Sequence, residues 1–417
     1  MPTAAPSPTV SAMPAQMLSL LASSGLQPMT LAGRRLLPIV QGGMGVGVSA
    51  HRLAGTVASL GGVGTLSSVD LRRHHPDLMA RTSGLASRVG MDADTKAQID
   101  AANLEAVERE VTAARRIANG RGLVAMNVMR AVSDYAAYVT RSLQAGVDMV
   151  VVGAGLPLDL PDLAADFPKA LLVPILSDAR GIALIVKKWE RKKRLPDAIV
   201  IEHPRLAAGH LGAAKIADLD DPRFDFERVI PEALDFLRKA GLEGRIPLIA
   251  AGGIRRCEDI AHIQALGGAG VQLGTPFAVT TECDASEGFK QVLAEARDED
   301  LVEFTSVAGL PARAVATPWL KAYLKAEPKL QAVAHPKERC TKAFDCLAQC
   351  GLRDGTPGWG QFCIDHQLVA ALQGNVKMGL FFRGVGALPF GSQIRSVREL
   401  IERLLTPNSN SAAPLPA

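Results

Sequence analysis

The sequence predicts a (β/α)8 TIM barrel with a C-terminal extension, and three observations carry that reading. Apolar runs of strand length alternate with helix-like stretches from residue 36 to residue 275, the order expected of parallel strands joined by helical crossovers. The runs are almost continuously apolar, which suits strands buried on both faces. The last two, LIAA and GVQL, each lead into a glycine-bearing turn, and in such barrels the loops after strands seven and eight commonly hold phosphate.

The elements follow in order. Residues 36–41 form a strand that enters the turn Gly42, Gly43, Met44, Gly45, and a helix over 51–61 ends at a glycine pair. The second strand is 63–67. A long polar helical insert spans 94–119 before the third strand, GLVAMNVM over 122–129, a helix over 136–146 and a fourth strand over 148–153. Strands five to eight are 170–176, 198–202, 247–251 and 271–275. Between the last two, Ile260, Ala261, Ile263 and Leu266 recur at helical spacing, with Asp259 in the first turn.

From about Thr305 the rhythm changes: Pro311, Pro318, four of the six cysteines and a glycine-rich run over 378–391 precede an amphipathic helix over 396–405. The expected organisation is a largely disordered segment over 1–30, a barrel over 31–304, a cysteine-containing helical extension over 305–405 and a disordered tail over 406–417. The extension is expected to pack over the barrel mouth or on a partner subunit, so a homo-oligomer stays open.

Composition narrows the function. The chain has 417 residues, 48% hydrophobic and only 4% aromatic, with a formal net charge of +4, which gives no reason to invoke nucleic acid. The basic cluster KKWERKKR over 187–194 reads as the solvated end of a helix. No run approaches the ~18 apolar residues of a membrane span. The start lacks the basic and apolar regions of a signal peptide, so a cytoplasmic protein is expected.

The two turns read together as a cup for an anion. Glycine lets the main chain approach a ligand closely, so the N–H groups around Gly252, Gly253, Gly274 and Thr275 can face a phosphate-bearing cofactor. Thr275 could equally cap a helix. Asn127, an amide at the end of an apolar strand, must find partners if buried. Gln272 carries the same obligation, toward a ligand or the backbone. His210 lies in the small-residue loop LAAGHLG beyond strand six, where barrel catalysis occurs, and an imidazole can take a proton from carbon or hold an oxyanion near neutral pH.

The stretches Pro38-Ile39-Val40-Gln41-Gly42-Gly43-Met44, Ala207-Ala208-Gly209-His210-Leu211-Gly212, Ala251-Gly252-Gly253-Ile254 and Gln272-Leu273-Gly274-Thr275-Pro276-Phe277, together with Asn127, resemble the nitronate monooxygenases, formerly 2-nitropropane dioxygenases. The match covers roughly residues 36–290. The resemblance implies an FMN-dependent barrel with the FMN phosphate on Gly252, Gly253, Gly274 and Thr275. The flavin ring would lie over Gly43 and Met44, near Asn127, Gln272 and the Ala208 loop, with His210 as the catalytic residue. It implies oxidation of alkyl nitronates by O2 to a carbonyl compound and nitrite. Flavin-dependent enoyl-acyl-carrier-protein reductases share much of the framework, so an NAD(P)H-dependent reductase is the alternative. The sequence departs from the family where Ala208 replaces a second glycine before the histidine. It departs again in Glu202-His203-Pro204-Arg205, which offers His203 and Arg205 as extra polar groups near the mouth; Arg205 would hold an anionic substrate or stand on the surface.

Three further readings stay open. Cys340, Cys346, Cys350 and Cys363 lie close enough in sequence for zinc or an iron–sulfur cluster, yet lack the C-x2-C knuckle; the other reading is reduced, partly buried thiols. The frame Gly45-Val46-Gly47-Val48-Ser49-Ala50, with Asp70 as ribose partner, matches a dinucleotide fingerprint weakly. A non-catalytic barrel remains the last.

Overall fold

The computed structural model describes residues 13–83, 93–336 and 346–407. Eight strands close a barrel in chain order: β1 (Ile39–Gln41), β2 (Val63–Ser67), β3 (Leu123–Met129), β4 (Met149–Gly153), β5 (Leu171–Leu176), β6 (Ile199–Glu202), β7 (Leu248–Ala251) and β8 (Gly270–Leu273). Every neighbouring pair is parallel, and β8 returns to β1 through Val271 opposite Ile39. The fold is therefore the (β/α)8 barrel read from the sequence, each strand falling within three residues of its expected bounds.

The period of two along each strand divides the core. Leu123 and Ala125 of β3 join Val151, Val173, Val200 and Ile249 inside the barrel, while Val124, Met126 and Val128 face the helices. The helix expected as a polar insert is Ala93–Ala118, and it packs against His51–Ser59 on the barrel wall. The last helix, Val397–Leu404, also packs on His51–Ser59 and so closes the helical ring after β8.

Two expectations change. Residues 13–30 belong to the folded structure: the helix Ala15–Ser24 buries Met17 and Leu21, four residues apart on one face, and the antiparallel hairpin Met29–Leu31 with Arg34–Leu36 follows. Met29, Leu31 and Leu36 join the interior core and plug the N-terminal end of the barrel. The proline- and alanine-rich composition of the start concealed that stripe. The dinucleotide fingerprint also fails, because the sheet is a closed barrel and Asp70 is buried in ion pairs with Arg72 at 2.7 Å and with Arg73. Residues 1–12 and 408–417 lie outside the described residues.

The extension builds its own small core from Phe304, Ala312, Leu320, Tyr323, Phe362 and Leu380. Its hairpin Leu301–Thr305 and Pro311–Val315 pairs antiparallel with a two-residue strand from the barrel, Gly209–His210. The roof of the barrel and the loop after β6 are thus one sheet.

Candidate active site

A cavity of about 590 Å³ opens at the C-terminal ends of the strands. The ten residues assigned to catalysis or the cofactor from the sequence all line it: Gly43, Met44, Asn127, Ala208, His210, Gly252, Gly253, Gln272, Gly274 and Thr275. The strand period explains several. Asn127 and Met129 continue the inward face of Leu123 and Ala125, Gln272 continues that of Gly270, and Glu202 continues that of Ala198 and Val200.

Each glycine has a local reason. A Cβ on Gly43 would stand 2.3 Å from Asn127 Cβ, and one on Gly42 would stand 3.2 Å from Gln272 Cγ. The bare end of β1 therefore gives both amides access to the cavity. Neither amide has a protein partner among the described residues. Gly252 and Gly253 hold φ at 113° and 75°, a region that disfavours any side chain, and Leu206 lies over them. Thr275 is neither the strand residue nor the helix cap expected: Gly274 caps the short helix Thr275–Ala278, and the Thr275 hydroxyl accepts the Gly384 N–H at 3.1 Å. Met44 packs its sulfur toward Gly274.

His210 is held by long-range contacts. Its backbone pairs with Ala312, and its ring lies 6.0 Å from that of Phe382. Buried Arg313 donates to the carbonyls of Ala207 at 2.6 Å and Pro204 at 3.3 Å while pairing with Glu303, which staples the loop that carries the histidine. The imidazole Nε2 is shielded from solvent and has no hydrogen-bonding partner among the described residues. Burial lowers its pKa to about 4, so the ring is neutral at pH 7.

Four residues of the site escaped sequence reading. Glu202 lines the cavity, and burial pushes its carboxyl up to about 7. Ser177 follows β5 directly and lies beside it; a Cβ on Gly212 would meet Ser177 Oγ at 1.8 Å and Glu202 Oε1 at 3.8 Å. A polar residue at the inward end of an apolar strand marks both, the signal that marked Asn127. Phe382 and Arg313 had no such signal, since they arrive from a distant segment. His203 and Arg205, expected near the mouth, do not line the cavity. The His203 ring packs edge-on to Phe226 at 5.2 Å, and Arg205 pairs with Asp225 at 3.1 Å.

The cysteines divide as well. Cys350 is buried, and burial raises its thiol pKa. Cys340 lies outside the described residues. Among the described residues no group of three His, Cys, Asp or Glu side chains is placed to hold a metal ion. Nor is any helix there long and apolar enough to cross a membrane.

Fold and site define the class: a (β/α)8 barrel whose cavity opens at the C-terminal ends of the strands, the end where enzymes of this architecture carry their chemistry. A profile described as nitronate monooxygenase matches residues 32–407, and the chain belongs to the nitronate monooxygenase family. A probable nitronate monooxygenase of Staphylococcus saprophyticus subsp. saprophyticus is 30% identical over 118 residues, 28% of this chain and 31% of that protein. The chain thus matches about a third of that relative's length. Among solved structures, FabK from Thermotoga maritima superposes with a TM-score of 0.59 at 18% identity, covering 94% of each chain. Nitroalkane oxidase from Streptomyces ansochromogenes does so with 0.59 at 19%, covering 92% of this chain and 96% of its own. These likenesses extend over the extension as well as the barrel.

Proposed function

We propose that the chain is a cytoplasmic FMN-dependent oxidoreductase that oxidises alkyl nitronates with O2 to a carbonyl compound and nitrite. The observation that carries the reading is the convergence of the ten residues on one cavity. The residues present fit a flavin mononucleotide. Gly252 and Gly253 keep a backbone only glycine adopts easily, so amides there and at Gly274 and Thr275 can take the phosphate. The unpartnered amides of Asn127 and Gln272 would receive the ring's carbonyl and nitrogen atoms beside Gly43, Met44 and Ala208.

Bound FMN would supply the redox chemistry, accepting electrons from the substrate. His210 enters as a neutral imidazole, able to take the α-proton of a nitroalkane or donate a hydrogen bond to nitronate oxygens. An anion beside it raises its pKa again, which strengthens it as a base. Leu310, Leu347, Ile364, Leu368 and Phe382 line the extension's side of the cavity and suit an alkyl chain.

The same apolar roof would admit the acyl chain of an enoyl thioester, and this favours the alternative, an NAD(P)H-dependent flavin reductase. Anaerobic mixing separates the two. Bleaching of the yellow protein by an alkyl nitronate, with NAD(P)H inert, supports the oxidation; bleaching by NAD(P)H alone supports the reductase. A full-length chain that stays colourless after incubation with FMN overturns both.

A further inference from the structure

The phosphate cup has a charged half that comes from a side chain and from the extension. We infer that Arg255, clasped by residues 383–386 of the extension, is the cationic ligand of the cofactor's phosphate. The inference rests on the FMN reading above and assigns the phosphate end of that site.

Arg255 follows the turn Gly252-Gly253-Ile254 and lines the cavity. Among the described residues its guanidinium has no carboxylate partner, and its Nε is buried without a hydrogen-bonding partner. The group lies against Gly386, where a Cβ would fall 1.9 Å from Arg255 Nη2 and 2.0 Å from Cζ. Gly386 also holds φ at 91°. The dihedral favours glycine there, and any larger residue would push the arginine aside.

Arg383 shapes the clasp. It is 2% exposed and donates to the carbonyls of Leu293 at 2.9 Å, Gly384 at 2.8 Å and Gly386 at 3.2 Å. Gly384 in turn donates to the Thr275 hydroxyl of the cup, and a Cβ on it would stand 3.0 Å from the Leu206 carbonyl oxygen. The stretch is therefore seated between the loop after β6 and the loop after β8. The carboxylate nearest Arg383 is that of Asp298, 3.8 Å away on a largely exposed side chain. Of the two neighbouring guanidinium groups, Arg383 faces that one solvated carboxylate, and Arg255, which has none among the described residues, borders the cavity. An unpaired cation partly withdrawn from water is costly, and a phosphate monoester matches a guanidinium by paired charged hydrogen bonds.

Titration of the flavin-stripped full-length chain with FMN and with riboflavin, followed by quenching of flavin fluorescence, tests the assignment. Arg255→Gln is expected to weaken FMN binding by about 10- to 100-fold, the range of a charge-assisted contact, and to leave riboflavin binding unchanged. Arg255→Lys recovers part of the loss. Gly386→Ala, which displaces the guanidinium, moves FMN affinity the same way. Equal weakening of both flavins overturns the inference, as does an Arg255→Gln chain that binds FMN at full strength. A wild-type chain that binds FMN no tighter than riboflavin would instead sink the cup itself, and the two failures are distinguishable.

Discussion

The two ends of the cavity are built by different means. The end at β7 and β8 is made of main chain, with Gly252 and Gly253 in backbone conformations that few other residues tolerate. The end around His210 is made of side chains whose positions depend on Arg313, Phe382 and the small sheet of the extension. A backbone site is insensitive to the identity of its neighbours and intolerant of any side chain of its own. A side-chain site is the reverse.

The difference can be pressed hardest at Gly253. Gly253→Asp places a Cβ 2.9 Å from Leu206 Cδ1, at a φ of 75°, with a carboxylate in the anion cup. The chain is expected to purify without flavin, its affinity down by more than ~100-fold, as an absorption spectrum would report; full occupancy would mean that the cup lies elsewhere. His210→Ala probes the other end. Flavin should stay bound while nitroalkane turnover falls by ~10²- to 10⁴-fold, the usual loss for a missing acid–base group. Unchanged turnover would take His210 out of the chemistry.

A subtler contrast lies inside the side-chain end. Glu202 titrates at about 7 in the fold against an ordinary 4.5, so it favours the folded state fully below 4.5 and loses that contribution as the pH rises to 7. His210 titrates at about 4 against 6.5, so its contribution is present above 6.5 and is lost as the pH falls to 4. Between 4.5 and 6.5 the two slopes oppose each other. Glu202→Gln should uncover the histidine alone: relative to wild type, stability should climb with pH across that window by on the order of 1 kcal/mol per unit. Thermal melts of the flavin-free chain at several pH values would show it, and parallel profiles for the two chains would refute the pairing. The smallest effect is expected outside the cavity. Arg205→Ala removes a half-exposed ion pair with Asp225 and should change stability by less than ~1 kcal/mol with KM unaltered. A large rise in KM would return Arg205 to the mouth.

The same division governs what could be read from the sequence. The barrel was legible because apolar strands and their crossovers repeat, and the glycine-built end of the cavity because a glycine pair after an apolar strand marks a tight turn at a strand end. Asn127 was legible as an amide that ends a buried strand. Glu202 and Ser177 carry that signal too, at the ends of AIVIE and LLVPILS, but neighbouring His203 and Arg205 look more reactive on paper. Only the pleat, which turns Glu202 inward, separates them. Arg313 and Phe382 were illegible because their roles arise from contacts over a hundred residues away in sequence, and no local pattern encodes such a meeting. Met17 and Leu21 were overlooked since composition spoke louder than spacing.

The plug beneath the barrel bears on where the folding unit starts. The family profile begins at residue 32, yet Met17, Leu21, Leu26, Met29 and Leu31 are all buried, each such side chain contributing ~1.5–3 kcal/mol. A gene trimmed to the homologous region would leave the cylinder without its floor, wetting an interior that was never meant to meet water.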